Sequence, residues 1–294
     1  MAHLDTPLSD LNAYVQFFAR QPIPVLRHTQ MRLDEMREME DQLNGRAVAG
    51  LVLSDPLMTL KVLLHIEAHR GARQNHDITT VERAIMMMGI SPFLRTFAGM
   101  PTIEEQLGLH PKGLILALKV IGRARRASRY ARDWALLRHD MDVDEITVAA
   151  LLSEVAEILC WCFAPTLTQE VYDCQRTDPS LRTQATQRAV FNASAADIQL
   201  ALCRHWHLPE LLLTMLDEKY IQNPRVRTVQ LANNLARHTA HGWDNPAIPD
   251  DLSTIETLLH ISRENLLNRL AVPHEDAARL LLAHQEQTGL ITPD

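Results

Sequence analysis

Three pairs of histidines lie within four residues of each other and must be weighed as ligands. His65 and His69 lie four apart in a segment of helical spacing, so both imidazoles share a face, as in many zinc sites. The intervening Ile66-Glu67-Ala68 is not the metalloprotease pattern, and no third ligand is identifiable. Exposed or hydrogen-bonded histidines are the competing reading. His205 and His207 flank Trp206 and point about 200° apart on a helix, too far to chelate one metal. His238 and His241 fall near a helix end, where the macrodipole favours an imidazolium with no ligand at all. No nucleophile elbow, Gly-rich phosphate loop or dinucleotide fingerprint occurs. The sequence offers no active site and calls for no cofactor.

A basic run is the other chemical feature. Lys119, Arg123, Arg125, Arg126, Arg129 and Arg132 place six positive charges in fourteen residues, with no acid before Asp133. The run is read either as a solvated helix face or as a contact for an acidic partner, a nucleotide phosphate or nucleic acid. Lys119, Arg123, Arg126 and Arg129 are the candidate partner-binding face. The formal charge of -7 argues against a chain that coats nucleic acid over its whole surface, which leaves only a patch for that task. Cys160 and Cys162 are too close together for a secreted disulfide framework, and the four cysteines read as small core residues.

The elements that position these residues are helical. Apolar residues recur at three and four, glycine is scarce and strand signals are weak. Ser54-Asp55-Pro56 and Ser91-Pro92 combine a cap with proline in the first turn. Thr79 with Glu82, Thr102 with Glu105 and Ser253 with Glu256 have capping-box spacing. From Pro111 to Arg138, Leu114, Leu118, Ile121, Ala124, Ser128, Ala131 and Ala135 form one moderately apolar stripe, which predicts a surface-facing helix. Ile146 to Phe163 is apolar on nearly every side, with Glu154 and Glu157 as its charges, and reads as a single buried helix. The polar stretch from Gln169 to Asn192 reads as a connection. A chain that is 46% hydrophobic and 22% charged is ordinary for a globular protein. Charges interrupt every apolar run short of the ~18 residues of a spanning helix, and the N-terminus lacks signal-peptide features. The expected location is the cytoplasm, with no membrane partner.

Leu53-Ser54-Asp55-Pro56-Leu57, followed by Ile78-Thr79-Thr80-Val81-Glu82-Arg83-Ala84-Ile85 and Met88-Gly89-Ile90, resembles the N-terminal half of an HDOD domain. Ile23-Pro24-Val25-Leu26 is similar to the Leu-Pro-x-Leu-Pro opening of that domain, without its second proline. Leu202-Cys203-Arg204-His205-Trp206-His207-Leu208-Pro209-Glu210 resembles the family's Leu-Leu-x-x-Trp-x-Leu-Pro-Glu segment. The likeness covers roughly Gln21 to His260. It weakens at the end of the Asp-Pro helix, where the family often has Asn-Ser and this chain has His65 to His69.

The resemblance implies an all-α, two-layer helical bundle on the scaffold of the HD metal phosphohydrolases. It implies a partly helical extension over 1–20, a helical layer over 21–100, an HD-like bundle over 101–262 and a helical tail over 263–294. In metal-holding relatives, His and paired His-Asp residues bind divalent ions. The His-Asp pair falls here on Ser153-Glu154, the His that opens the helix before Trp206 on Ala195, a later His pair on Lys219-Tyr220, and an earlier His near Lys119. These residues mark a vacated metal site, because metal-activated water needs converging His or carboxylate ligands. Lys219 is expected to neutralise Glu154. The implied function is a stand-alone, non-catalytic module that binds a partner protein in bacterial signal transduction, in pathways that sometimes involve cyclic di-GMP. The alternatives are a residual metal phosphohydrolase with another ligand set, including His65 and His69, and a nucleic-acid-binding regulator acting through residues 119–132.

Overall fold

The computed structural model describes residues 3–39, 43–69, 80–178 and 180–287. Among them the only sheet-like pairing is an isolated parallel bridge between Val25 and Thr102. The fold is all-α.

Two apolar cores organise the helices. Asp10 caps α1 (Leu11–Ala19), which buries Tyr14 and Phe18. Those rings meet Phe191 and Phe163 at centroid distances of 5.8 and 6.4 Å, so the first helix packs into the larger core. Helices α2 (Arg27–Glu38), α3 (Gly45–Val52), α4 (Pro56–Ala68), α5 (Val81–Met88) and α6 (Ile90–Thr96) enclose the smaller core, which includes Leu33, Val48, Val52, Phe93 and Leu94. Helix α4 is apolar all round because it serves both cores. Met58, Val62 and Ile66 face the smaller, while Leu57, Leu60 and Leu63 face the larger.

Asp55 explains the Asp-Pro signal physically. Its buried carboxylate caps α4 by accepting from the Leu57 and Met58 N–H groups at 3.0 and 3.1 Å. The other oxygen accepts from the Leu26 N–H at 2.8 Å and the Thr29 hydroxyl at 2.9 Å, at the start of α2. One side chain thus satisfies the N-termini of two helices and fixes the angle between them.

The larger core follows. A Thr102/Glu105 capping box closes the single turn α7 (Ile103–Gln106). Then come α8 (Pro111–Leu137), α9 (Val143–Leu152), α10 (Val155–Phe163), α11 (Pro165–Thr177), α12 (Thr183–Phe191), α13 (Ala195–His205) and α14 (Glu210–Leu216). A 3-10 turn (Glu218–Tyr220) leads to α15 (Pro224–His238), α16 (Ile248–Leu259), α17 (Arg263–Arg269) and α18 (His274–Gln287).

Several expectations are corrected. Helix α8 keeps a face to the surface, with Lys119, Gly122, Arg129 and Arg132 exposed, but its stripe is buried more deeply than a moderately apolar pattern suggests: Ala117, Ile121, Ala124, Ser128, Ala131 and Ala135 are buried, and α9 and α15 pack against them. The stretch Ile146 to Phe163 is two helices. Ser153 turns its hydroxyl back to the Ala149 carbonyl at 2.8 Å, and Glu154 leaves the α conformation at φ −106°, ψ 9°. Taken across that break, Val143–Phe163 is long and apolar enough to cross a membrane, but 83% of its most apolar window is buried inside the fold. The supposed connection from Gln169 to Asn192 is mostly helix, with only residues 178–182 between α11 and α12. Ser253 and Glu256 lie inside α16, where the Ser253 hydroxyl bonds the Pro249 carbonyl and Glu256 pairs with Arg263. Helix α6 starts one residue before Ser91, after Gly89 at φ +79°, a conformation that suits glycine. Thr79 lies outside the described residues; Thr80 caps α5.

Replacing Asp55 with alanine removes both caps and strands buried N–H groups, so it should cost about 3 kcal/mol in urea denaturation. A loss near zero would show that another group takes over the junction.

Candidate functional site

At the break between α9 and α10, Glu154 is 5% exposed and its carboxylate is surrounded by guanidinium groups. Arg123, from the middle of α8, grips it with two bonds: Nε to Oε1 at 3.2 Å and Nη2 to Oε2 at 2.5 Å. The same Nη2 reaches Glu157 Oε2 at 2.8 Å. Arg237, in the last turn of α15, adds a bond to Glu154 Oε1 at 3.3 Å. Burial alone would raise the Glu154 pKa, but the Arg123 charge and then the Arg237 charge hold it down to about 2. Glu157 is shifted the other way, by burial first and by the Glu154 charge, against the pull of Arg123. The Arg123 guanidinium, despite burial, is held firmly charged by Glu157 and Glu154.

The expected Glu154–Lys219 pair does not form. Lys219 sits in the 3-10 turn, bonded to Asp217 at 3.1 Å and lying 4.5 Å over the Tyr220 ring. Neither Lys219 nor Tyr220 lines the cavity above Glu154, whereas Ser153 and Ala195 do. The α8 side chain that faces Glu154 is Arg123, four residues beyond Lys119. Its spacing from Val120, Ala124 and Ala127 places it at the edge of the buried stripe, which is the signal that could have found it.

The basic run is not one face. Arg123 points inward, Arg125 donates to the Ser54 carbonyl, Arg126 donates to the Thr239 carbonyl at 2.9 Å, and Arg132 pairs with Asp144 at 2.7 Å. Lys119 and Arg129 are exposed. His65 and His69 stack with centroids 4.1 Å apart, and the His69 Nδ1 lies 2.7 Å from the His65 carbonyl. Among the described residues no group of three or more His, Cys, Asp or Glu is placed to hold a metal ion. His238 pairs with Asp251 at 2.5 Å. Cys160, Cys162 and Cys203 are buried, and burial pushes the Cys203 thiol up to about 12.

Above the ion-pair network opens a cavity of about 630 Å³. Helices α11 and α12 contribute Tyr172, Gln175, Arg176, Gln184 and Gln187, which is why that stretch of sequence is so polar. Helix α15 presents Gln230, Asn233, Asn234 and Arg237 along one face. Two glutamines of the lining also serve the fold. Gln199 Oε1 accepts from the Ala156 N–H at 2.7 Å, at the start of α10, and Gln187 Oε1 accepts from the Ala195 N–H at 2.9 Å, at the start of α13.

The HDOD domain family model matches residues 23–221. The chain belongs to the HDOD domain family. In fold this HDOD protein is similar to the MmoQ response regulator from Methylococcus capsulatus, at 16% identity over 89% of this chain and 98% of that chain, TM-score 0.59. It is also similar to a virulence factor from Campylobacter jejuni, at 14% identity over 92% of this chain and 96% of that one, TM-score 0.60. Among curated proteins none matches this sequence.

As they stand, Ser153, Glu154 and Ala195 do not make a site for a divalent ion. Ala195 has no donor atom, the Ser153 hydroxyl is committed to Ala149, and both oxygens of Glu154 are taken by guanidinium groups.

The network should set the acid stability of the fold. Glu154, held below its unfolded value, contributes stability that is present above ~4.3 and lost as the pH falls toward about 2. Glu157, shifted upward, works in the opposite sense, its ionisation in the folded state costing stability as the pH rises. In urea titrations below roughly pH 5, Glu154→Gln should flatten the loss of stability seen in the parent chain. An unchanged profile would remove Glu154 from the acid limb.

Proposed function

We propose that this chain is a non-catalytic HDOD signalling module that acts in the bacterial cytoplasm by binding a partner protein. The observation that carries this reading is the bidentate grip of Arg123 on Glu154, reinforced by Arg237. A hydrolase on this scaffold needs a cation to activate water. Here two guanidinium groups supply the positive charge around the one carboxylate, and a guanidinium cannot lower the pKa of a water as a metal ion does. The family supports a signalling role, and the divided basic run does not support the nucleic-acid alternative.

A partner surface is favoured at the start of α8. Leu109 is 92% exposed, Ile115 56% and Leu118 38%, beside the exposed Lys119. Apolar side chains bordered by a free cation suit a protein surface better than a phosphate backbone.

Purified protein incubated with Mn²⁺ should retain no stoichiometric metal and should hydrolyse neither bis(p-nitrophenyl) phosphate nor nucleotides above background. Capture of the native partner should fall in the Ile115→Asp, Leu118→Asp variant without a change in melting temperature. About one metal per chain, lost on Glu154→Gln, together with hydrolysis, would overturn the reading.

A further inference from the structure

The cavity above Glu154 is lined in part by polar groups that make no hydrogen bond among the described residues. Its clearest mark is Asn233 on α15. The residue lines the cavity and is 7% exposed, and its Oδ1, itself shielded from water, has no hydrogen-bond partner among the described residues. A buried carbonyl oxygen left unpaired is costly, and native structures keep such a group where something else pairs with it. Around it the carboxamides of Gln230 and Asn234 make no hydrogen bond among the described residues, and Gln187 uses only its oxygen there. Each free carboxamide offers donors and acceptors side by side. Tyr172 adds an aromatic wall.

Charge decides what class of molecule fits. The cations on the lining are Arg123, Arg176 and Arg237, and the carboxylates are Glu154, Glu157 and Glu218. Arg123 is engaged by both Glu154 and Glu157, and Arg237 by Glu154. The formal charges cancel, three against three, with Arg176 exposed and without an ion pair among the described residues, while neutral donors and acceptors are abundant. We propose that this cavity is a receptor site for a neutral polyhydroxylated ring compound, a sugar or a nucleoside, bound through Asn233 and the neighbouring carboxamides and not hydrolysed. About 630 Å³ accommodates a molecule of that size. The site would let an effector report to the partner surface, since Arg123 and Ile115 lie on the same helix. The proposal rests on the non-catalytic reading of the site.

The test is calorimetric titration of the full chain with adenosine, guanosine, glucose and maltose, with adenosine 5′-monophosphate and glucose 6-phosphate as charged counterparts. Saturable binding of a neutral compound is expected, weakened by phosphorylation. Which pair binds identifies the source as nucleoside or sugar. In Asn233→Leu the affinity should drop about tenfold or more, while the ligand-free variant melts no lower than the parent, because the lost oxygen had no partner. Binding of the phosphorylated compounds alone, binding of none, or unchanged affinity in Asn233→Leu would overturn the proposal. Conversion of a bound compound, followed by chromatography, would overturn the non-catalytic reading instead.

Discussion

Glu154 interrupts the most apolar stretch of the chain, and the structure around it is arranged to answer that one charge. Moving a carboxylate out of water costs several kcal/mol unless close opposite charge and hydrogen bonds make up the loss. Arg123 provides both through a fork of two bonds, and Arg237 provides a third contact, to Oε1. These residues come from α8, from the α9–α10 break and from α15, so the charge pairing fixes the register of the helices at the centre of the larger core. Glu154 sits at the break itself, at φ −106°, ψ 9° between α9 and α10.

The polar cavity is a consequence of this centre. A pair of ions at the base of a bundle cannot be sealed over by leucines without loss, and the helices that close this side, α11, α12, α13 and α15, turn polar faces toward it. Gln187 and Gln199 use part of their hydrogen-bonding capacity to cap the starts of α13 and α10. The rest of the bundle is free to be apolar. The same logic operates on a smaller scale at Asp55, where one buried carboxylate is met by four donors and couples the two cores.

Much of this was legible in the amino-acid sequence. The caps at Asp55 and Thr102 lie where short-range rules place them, because a cap depends on neighbouring residues. The HDOD resemblance placed Ser153, Glu154 and Ala195 together, and they do share one cavity. What failed depended on the third dimension. A polar helix face usually means solvent, so α11 and α12, whose polar faces meet a cavity, read as a loop. Alanine stripes look weakly apolar, yet in α8 they mark the closest packing in the core. Lys219 was matched to Glu154 by alignment, but sequence carries no measure of reach, and a basic run conceals which of its members turns inward. Arg123 was read as surface because its neighbours were.

Arg123 and Glu154 form one buried unit at the centre of the larger core. A double-mutant cycle with Arg123→Met and Glu154→Leu, followed by urea denaturation, tests that coupling most directly. Each single change removes the closest partner of a buried charge, leaving Glu154 with Arg237 or Arg123 with Glu157, and should cost about 3 kcal/mol, with the double variant losing less than the sum. Costs that add within about 0.5 kcal/mol would contradict the account.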